Sequence, residues 1–100
     1  MISHLVLLKC RPDVSQTQID DMFTQLNSLV GVIPGLLSCS GGENNSPEGI
    51  NRGYTHGFVM QFESIEARDN YLPHPEHKKV QPAIHTVLNE CEDNVLVIDF

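Results

Sequence analysis

Four short segments of the chain are rich in apolar residues and have the length and the two-residue period of β-strands. The first strand spans residues 2–10, where even and odd positions are both mostly apolar. LLSCS (36–40) and YTHGFVMQFE (54–63) are the next two, separated by a polar loop at 41–53. The last strand, NVLVIDF, again has apolar residues on both faces. A strand that is apolar on both faces is expected to be covered on both.

After the first strand, apolar residues recur every three or four positions, which predicts an amphipathic helix. Ser15 and Gln18 have the spacing of a capping box, so the helix is expected to begin there. The segment GVIPG is expected to end it, because proline disfavours helical geometry in the preceding residue. The buried stripe is predicted to contain Ile19, Met22, Phe23, Leu26, Leu29, Val30 and Ile33.

Two further helices are predicted between the third and fourth strands. SIEARDNYL begins with Ser64 and ends before Pro73, and the next helix begins at Pro75 with His74 as its cap. Pro82 is expected to bend this last helix. One of its stripes carries His77, Val80, Ile84, Val87 and Leu88, and the opposite stripe carries His74, Lys78, Gln81 and His85.

The order β-α-β-β-α-(α)-β predicts an α+β fold, a ferredoxin-like protomer with one four-stranded antiparallel sheet, in a single domain over 1–100. Helices cover only one face of such a sheet. That face is predicted to carry His4, Val6, His56, Phe58 and Met60. The other face is predicted to carry Leu5, Leu7, Val59, Val95 and Val97. An apolar patch of this kind marks an interface, and a second copy is the simplest cover, so we expect a homodimer.

The composition limits the partners and the compartment. Thirteen acidic residues against six basic ones give a formal charge of −7, so the chain would repel a nucleic-acid backbone. Cys10, Cys39 and Cys91 form no CxxC pair and are expected to be reduced thiols. The N-terminal apolar run has the length of a strand and lacks the features of a signal peptide or a membrane span. We therefore expect a cytoplasmic protein that binds neither nucleic acid nor membrane.

Three histidines and one tyrosine are predicted to meet beneath the helices. His4 and His56 lie on the inward faces of neighbouring strands, helical periodicity directs His77 into the same space, and Tyr71 borders it. A partly apolar pocket with a few polar groups is typical of small-molecule sites. Histidine exchanges protons near neutral pH, so such a pocket could enolise a carbonyl compound without a covalent nucleophile. The alternative is that these histidines are hydrogen-bonded core residues.

The remaining polar motifs predict no second site. His74 is expected to be a helix cap and His85 a solvated surface residue. His74 and His77 flank Glu76 at a spacing seen in some metal-binding helices, but their stripes diverge and HExxH is absent, so no metal ligand is predicted. A loosely held magnesium ion on loop carbonyls or Glu48 stays open. GGEN neither opens a helix nor carries a phosphate-binding lysine, and no cofactor is predicted.

Six segments together resemble the stress-responsive dimeric α/β-barrel (Dabb) family. They are HLVLLK near the N-terminus, IPG after the first helix, GENNSPEG in the loop, GYTHGFVMQFES, YLPHPEH and VIDF. The match keeps the family's order over essentially the whole chain. The resemblance implies a ferredoxin-like protomer whose sheet packs on that of a second protomer to form a dimeric α/β barrel.

The resemblance also implies site residues. Most members have no assigned function, whereas the olivetolic acid cyclase branch closes polyketide chains without a cofactor, using a tyrosine and a helix histidine as the acid/base pair. Tyr71 and His77 match that pair, and His4 and His56 match two sheet histidines that line the cavity. Two hypotheses follow. One is a homodimer, open to further association, that binds a small molecule. The other is a cofactor-independent enzyme with His77 as base, Tyr71 as its hydrogen-bonded partner, and His4 and His56 orienting the substrate oxygen.

Overall fold

The computed structural model describes residues 1–100 and contains four strands and three helices. In chain order they are β1 (Ile2–Leu8), α1 (Gln16–Asn27), β2 (Leu36–Glu43), β3 (His56–Phe62), α2 (Ile65–Tyr71), α3 (Pro75–Val87) and β4 (Val95–Asp99). The strands are ordered β2-β3-β1-β4, and every neighbouring pair is antiparallel. The predicted ferredoxin-like α+β protomer is confirmed.

The helices begin where their capping residues predict. The Ser15 hydroxyl accepts a hydrogen bond from the Gln18 amide at 3.1 Å, and the Gln18 side chain accepts one from the Ser15 amide. Ser64 caps α2 in the same way. The Nδ1 of His74 accepts a hydrogen bond from the Glu76 amide at 3.1 Å, so His74 is the cap of α3. None of the three helices has the length and apolar composition needed to cross a membrane.

The first helix ends at Asn27, earlier than the apolar pattern predicts. The side chains of Asn27 and Ser28 both donate hydrogen bonds to carbonyl oxygens of the last turn, which satisfies these carbonyls without further helix. Leu29 and Ile33 are nevertheless buried, because the following turns still pack on the sheet, whereas Val30 is exposed. The apolar stripe therefore continues past the end of the helix, because residues of the following turns are also buried.

The predicted loop at 41–53 lies at 44–55 instead, because Gly41–Glu43 continue β2 and pair with β3, which begins at His56. Gly41 permits this close approach. A Cβ at Gly41 would lie 2.6 Å from the Gly57 carbonyl oxygen and 2.6 Å from the Phe23 ring. Glycine at position 41 is compatible with a strand because the neighbouring strand and α1 leave no room there for a side chain.

The core lies between the three helices and the inner face of the sheet. Its largest fully buried side chains are Leu8, Met22, Leu26, Met60, Phe62, Tyr71 and Val87. His4 is the one polar side chain buried with them. α3 continues through Pro82 to Val87, so the residues on both sides of this proline belong to one helix.

The two faces of β4 are opposite to the prediction. In the β1–β4 pair Val97 lies opposite Val6, and Val95 lies opposite Leu8. Directly paired residues share a face, so Val95 and Val97 lie on the helix side of the sheet. The outer face instead carries Leu5, Leu7, Val59, Leu96 and Ile98. The sequence shows that both faces of β4 are apolar, but only the register decides which one meets the helices.

Candidate functional site

A cavity of about 300 Å³ lies between α3 and the part of the sheet formed by β1 and β4. The sheet wall consists of His4, Val6, Leu8, Val95 and Val97, with Phe58 of β3. The helix wall includes Tyr71, His77, Gln81, Ile84, His85 and Leu88. Most of the lining is apolar, and His4, Tyr71 and His77 collect at one end. We call this end, near the start of β1, the histidine end.

Tyr71 is the centre of the histidine end. It is the last residue of α2 and is 2% exposed, and its ring packs on Phe62 with the centroids 5.1 Å apart. Burial raises the pKa of Tyr71 well above its ordinary value of 10.0, so its phenol is neutral and can donate a hydrogen bond at physiological pH. No protein group forms a hydrogen bond with the hydroxyl, which leaves it free for a ligand in the cavity.

His77 stacks on Tyr71 instead of forming a hydrogen bond with it. The two ring centroids are 4.1 Å apart and the planes are inclined by 32°. The Nδ1 of His77 lies 2.9 Å from the Leu72 carbonyl oxygen. A carbonyl only accepts hydrogen bonds, so Nδ1 must carry a proton, and in the neutral ring Nε2 is the unprotonated nitrogen. The expected direct bond between Tyr71 and His77 is therefore wrong, but His77 still presents a basic nitrogen.

His4 is held by an aspartate that the sequence did not single out. Asp99 lies opposite His4 in the β1–β4 pair, and its Oδ1 is 2.8 Å from His4 Nδ1. Arg68 donates a hydrogen bond to the other carboxylate oxygen. Burial alone would raise the pKa of Asp99, but the hydrogen bonds from Arg68 and His4 outweigh it and hold that pKa below its usual value. The ionised carboxylate accepts from Nδ1 of His4 and thereby fixes the orientation of the ring.

His56 does not join the other three predicted site residues. It pairs with Leu8, whereas His4 pairs with Met60, so the two histidines lie four pairs apart along the β1–β3 ladder. Four residues along a strand separate them by about 13 Å. The Nδ1 of His56 lies 2.8 Å from the hydroxyl of Thr55, and its side chain lines two other depressions and not this cavity. The alternation of residues along the strands correctly predicts that both histidines lie on the same face of the sheet. It does not predict how far apart they lie along the β1–β3 pair.

Gln81 and His85 line the cavity although the sequence placed them on the outward stripe of α3. Both residues are exposed, as expected, yet they border the cavity mouth because the edge strand β4 leaves this side of α3 uncovered. Asp99 and Arg68 were also missed as site residues. The sequence predicts that Asp99 lies in the last strand. Its contact with His4 depends on the register between β1 and β4, which are far apart in the sequence.

No three His, Cys, Asp or Glu side chains lie close enough together to hold a metal ion. Glu48 lies in the exposed loop before β3. The magnesium alternative therefore stays a prediction without a ligand set, and the described side chains suggest proton transfer and hydrogen bonding as the chemistry of the cavity.

The histidine end combines bases with a hydrogen-bond donor. Tyr71 presents a neutral hydroxyl, and His77 and His4, whose Nδ1 atoms both donate to protein oxygens, each present Nε2. A base next to a donor that can bind a developing oxyanion is the arrangement required to remove a proton from the carbon next to a carbonyl. The apolar remainder of the cavity would strengthen these interactions by excluding water.

Two curated relatives match this chain over most of its length. Olivetolic acid cyclase from Cannabis sativa is 30% identical over 76 residues, which cover 76% of this chain and 75% of that protein. The stress-response A/B barrel domain-containing protein HS1 from Arabidopsis thaliana is 32% identical over 99 residues, covering 99% of this chain and 87% of that protein.

Solved structures agree with the fold. The crystal structure of At3g17210 from Arabidopsis thaliana has a TM-score of 0.88 and 32% identity, covering 100% of this chain and 93% of that one. A dimeric ferredoxin-like protein of unknown function from Jannaschia has a TM-score of 0.86 and 27% identity, covering 99% and 96%. The model of the stress responsive A/B barrel domain matches residues 2–100. The chain therefore belongs to the stress-responsive A/B barrel domain (Dabb) family.

Proposed function

We propose that this protein is a homodimer in which the outer faces of the two sheets pack against each other. The outer face carries the apolar residues Leu5, Leu7, Val59, Leu96 and Ile98, and Leu96 and Ile98 are 47% and 57% exposed in the single protomer. Burying such a face against a second copy removes apolar surface from water, which is the main driving force of association. The similar protein from Jannaschia is described as dimeric, which supports the same assembly here.

We further propose that the cavity of each protomer binds a small organic molecule. The observation that carries this proposal is the free polar surface at the histidine end, where the Tyr71 hydroxyl and His77 Nε2 face a mostly apolar cavity without protein partners. A structural histidine cluster would be expected to satisfy its own polar groups. Here Nδ1 of His77 and Nδ1 of His4 are held by the protein, and the opposite nitrogens are left for a ligand.

Native mass spectrometry of freshly purified protein tests both statements. We expect a dimer, with an additional small mass that is lost when the ligand is released by denaturation. A monomer at micromolar concentration would contradict the dimer. To test the cavity, His77→Ala should reduce the fraction of protein that carries the additional mass, whereas Lys78→Ala, an exposed neighbour outside the cavity, should not.

A second candidate function is cofactor-independent acid/base catalysis on a carbonyl compound, as in a polyketide cyclase. Two observations favour it: the tautomer of His77 that Leu72 imposes, and the similarity to a protein named olivetolic acid cyclase. In this mechanism His77 Nε2 takes a proton from the carbon next to the carbonyl. The Tyr71 hydroxyl donates a hydrogen bond to the oxygen that gains negative charge. The enolate carbon then attacks a second carbonyl carbon of the substrate, and the protonated His77 gives its proton to the alkoxide that forms. In the neutral ring of His4, Nδ1 donates to Asp99 and Nε2 accepts a hydrogen bond from a substrate hydroxyl.

Proton exchange is a direct test of this step. The protein would be incubated in D₂O with benzylacetone, a simple ketone, and deuterium uptake next to the carbonyl would be followed by NMR. We expect uptake above the buffer rate, a loss of at least about tenfold in His77→Ala, and no loss in Lys78→Ala. If exchange in His77→Ala equals that of the unmodified protein while all variants melt at similar temperatures, His77 is not the base.

A further inference from the structure

We propose that His4 and Asp99 form a second base in the cavity, and that this pair takes the proton of an acidic hydroxyl on the ligand, such as that of a phenol or an enol. His4 accepts the proton, and Asp99 is a positioning residue that acts through His4. Because the ligand occupies the cavity described above, this proposal rests on the proposed small-molecule function and adds the chemical class of the ligand.

His4 presents one nitrogen to the cavity although the rest of its side chain is buried. The residue is 6% exposed and lines the cavity wall. Its Nδ1 lies 2.8 Å from the Oδ1 of Asp99, and no protein group forms a hydrogen bond with its Nε2. No buried side-chain nitrogen or oxygen of the protein lacks a hydrogen-bond partner, so the Nε2 of His4 must reach open space. The space that His4 lines is the cavity, and Nε2 is therefore available to a ligand there.

The ring of His4 is held in one orientation. Phe62 and Tyr71 pack against it edge-on, with their ring centroids 6.2 Å and 6.0 Å from that of His4. The hydrogen bond to Asp99 fixes the remaining rotation of the ring. A base that is held by packing and by a hydrogen bond can take a proton without rearrangement of the protein.

A row of alternating charges stabilises a proton on His4. Arg68 donates a hydrogen bond to one oxygen of Asp99, and the pKa of Asp99 lies below its ordinary value, so its carboxylate is ionised near neutral pH. The other carboxylate oxygen accepts a hydrogen bond from Nδ1 of His4. Once Nε2 has taken the proton of the ligand, the positive imidazolium lies between two anions, the carboxylate and the ligand oxygen. Opposite charges in hydrogen-bonding contact favour each other's ionised forms.

His77 has no such charged partner. Its Nδ1 donates a hydrogen bond to the Leu72 carbonyl oxygen, which carries no net charge. A carboxylate stabilises an imidazolium more than a carbonyl does, so the two histidines of one cavity have different tasks. His4 takes the proton of an acidic hydroxyl, whereas His77 stays an unprotonated acceptor that is available for the proton of a carbon.

The cavity offers no permanent positive charge to a ligand that is already an anion. No lysine or arginine lines it, and Arg68 is bound by Asp99 and Asp69. A neutral phenol or enol supplies the missing charge as a proton. Its oxygen–hydrogen bond breaks, the proton bonds to Nε2 of His4, and the electron pair stays on the oxygen, which accepts a hydrogen bond from the neutral Tyr71 hydroxyl. The ion pair thus forms inside the cavity without a change in net charge.

4-Nitrophenol tests this proton transfer because its phenol and phenolate forms absorb at different wavelengths. The full chain would be titrated with it about one pH unit below the ionisation midpoint of the free compound, and calorimetry would count the bound molecules. We expect the bound compound to be mostly phenolate, although the free compound is mostly phenol at that pH. 4-Nitroanisole, in which a methyl group replaces the hydroxyl proton, should bind at least about threefold more weakly.

Asp99→Asn removes the charge beside His4 and keeps a side chain of the same shape. An adjacent opposite charge shifts a pKa by about one to three units, so the ratio of bound phenolate to bound phenol should fall at least about tenfold. Asp69→Asn is the matched control, because Asp69 binds Arg68 with a side chain that is 60% exposed. It should leave the ratio unchanged. The ratio is measured on bound compound, so a loss of stability in either variant does not alter it.

His77→Ala distinguishes the two histidines, since it should weaken binding but leave the bound compound as phenolate. A compound that binds to the unmodified protein as phenol would overturn this inference alone. An unchanged ratio in Asp99→Asn, or loss of the phenolate in His77→Ala, would do the same. If 4-nitroanisole binds and 4-nitrophenol does not, this inference is again wrong. If neither compound binds at millimolar concentration, the proposed small-molecule site is overturned as well.

Discussion

The Nδ1 of His4 on β1 and the Oδ1 of Asp99 on β4 are 2.8 Å apart, and they belong to residues that lie directly opposite each other in an antiparallel pair. The pair joins the first and the last strand of the sheet beside the histidine end. Arg68 of α2 binds the second carboxylate oxygen. One ionised carboxylate thus fixes the edge strand, the second helix and the orientation of a site histidine.

Replacing Asp99 should reduce stability in a pH-dependent way. The folded-state pKa of Asp99 lies below its ordinary value of 3.8, so its contribution is present above that pH and is lost as the pH falls through the lower pKa. Because hydrogen bonds to a charged group contribute about 1.5–3 kcal/mol, Asp99→Asn should lower the free energy of unfolding by about 1–3 kcal/mol at pH 7. Urea denaturation at pH 7 and pH 3 would measure this, and the difference from the unmodified protein should shrink at pH 3.

Asp69→Asn is the matched control, since Asp69 binds the same arginine. Its side chain is 60% exposed, and exposed ion pairs contribute about 0–1 kcal/mol. We expect a change of less than about 0.5 kcal/mol at pH 7. Equal losses in the two variants would show that the burial of Asp99 and its bond to His4 add nothing.

Replacing Tyr71 with phenylalanine should change stability only at high pH. The hydroxyl forms no protein hydrogen bond, so the free energy of unfolding at pH 7 should change by no more than about 1 kcal/mol. Burial raises the pKa of Tyr71 above 10.0, so the phenol stabilises the folded state below pH 10 relative to higher pH. As the pH rises above 10, the unfolded phenol ionises and the unmodified protein should lose stability relative to Tyr71→Phe. Urea denaturation at pH 7 and pH 10.5 would check the sign, and parallel curves for the two proteins would contradict it.

Gly41 and Gly42 offer a test of the extended β2 strand. A methyl group at Gly41 would meet the Gly57 carbonyl oxygen, the Phe23 ring and the Phe58 Cβ at 2.6–2.7 Å, whereas one at Gly42 would meet nothing within 4 Å. Gly41→Ala should therefore lower the free energy of unfolding by about 1–3 kcal/mol, as overpacking does. Gly42→Ala should stay within about 0.5 kcal/mol of the unmodified protein. Thermal melting of both variants would be sufficient, and equal melting temperatures would contradict the register of β2.

The element order, the helix caps and the two apolar faces of the sheet could be predicted from the sequence because each depends on neighbouring residues. Ser15, Ser64 and His74 form local hydrogen bonds, and alternation alone places His4 on the inner face. The stop at Asn27 was missed because the apolar stripe continues as Leu29 and Ile33 in buried turns.

The composition of the site could be predicted only in part, because it depends on registers between distant segments. His4, Tyr71 and His77 come together as the periodicities indicate. The register between β1 and β4 is needed to see that Asp99 contacts His4, and the register between β1 and β3 is needed to see that His56 lies away from the cavity. The stacking of His77 on Tyr71 likewise follows from the bond to Leu72 at the corner between α2 and α3, which no periodic pattern describes.

Comparing His4 with His56 distinguishes the predicted site from the observed one. With 4-hexylphenol as the probe, His4→Ala should weaken binding by at least about threefold, because a hydrogen bond and packing at the histidine end are lost. His56→Ala should leave binding within the error of calorimetry, because His56 lies about 13 Å away along the ladder. If His56→Ala weakens binding of 4-hexylphenol as much as His4→Ala does, His56 belongs to the binding site, as the sequence predicts.

The proposed dimer can be tested with two isoleucines of equal exposure. Ile98 is 57% exposed on the outer face of the sheet, and Ile65 is 59% exposed at the start of α2. A glutamate at position 98 would place two charges in the apolar interface of a symmetric dimer, one from each copy, and burying unpaired charges is strongly unfavourable. Ile98→Glu should therefore sediment as a monomer at concentrations where the unmodified protein and Ile65→Glu sediment as dimers.

The pair of variants also separates the interface from a general effect of charge on folding. Both substitutions replace the same side chain at the same exposure, so both isolated protomers should tolerate the glutamate equally. If Ile98→Glu remains dimeric, the outer face of the sheet is not the interface. If Ile65→Glu dissociates instead, the copies meet through the helices, and the cavity next to α2 and α3 would then lie beside the partner.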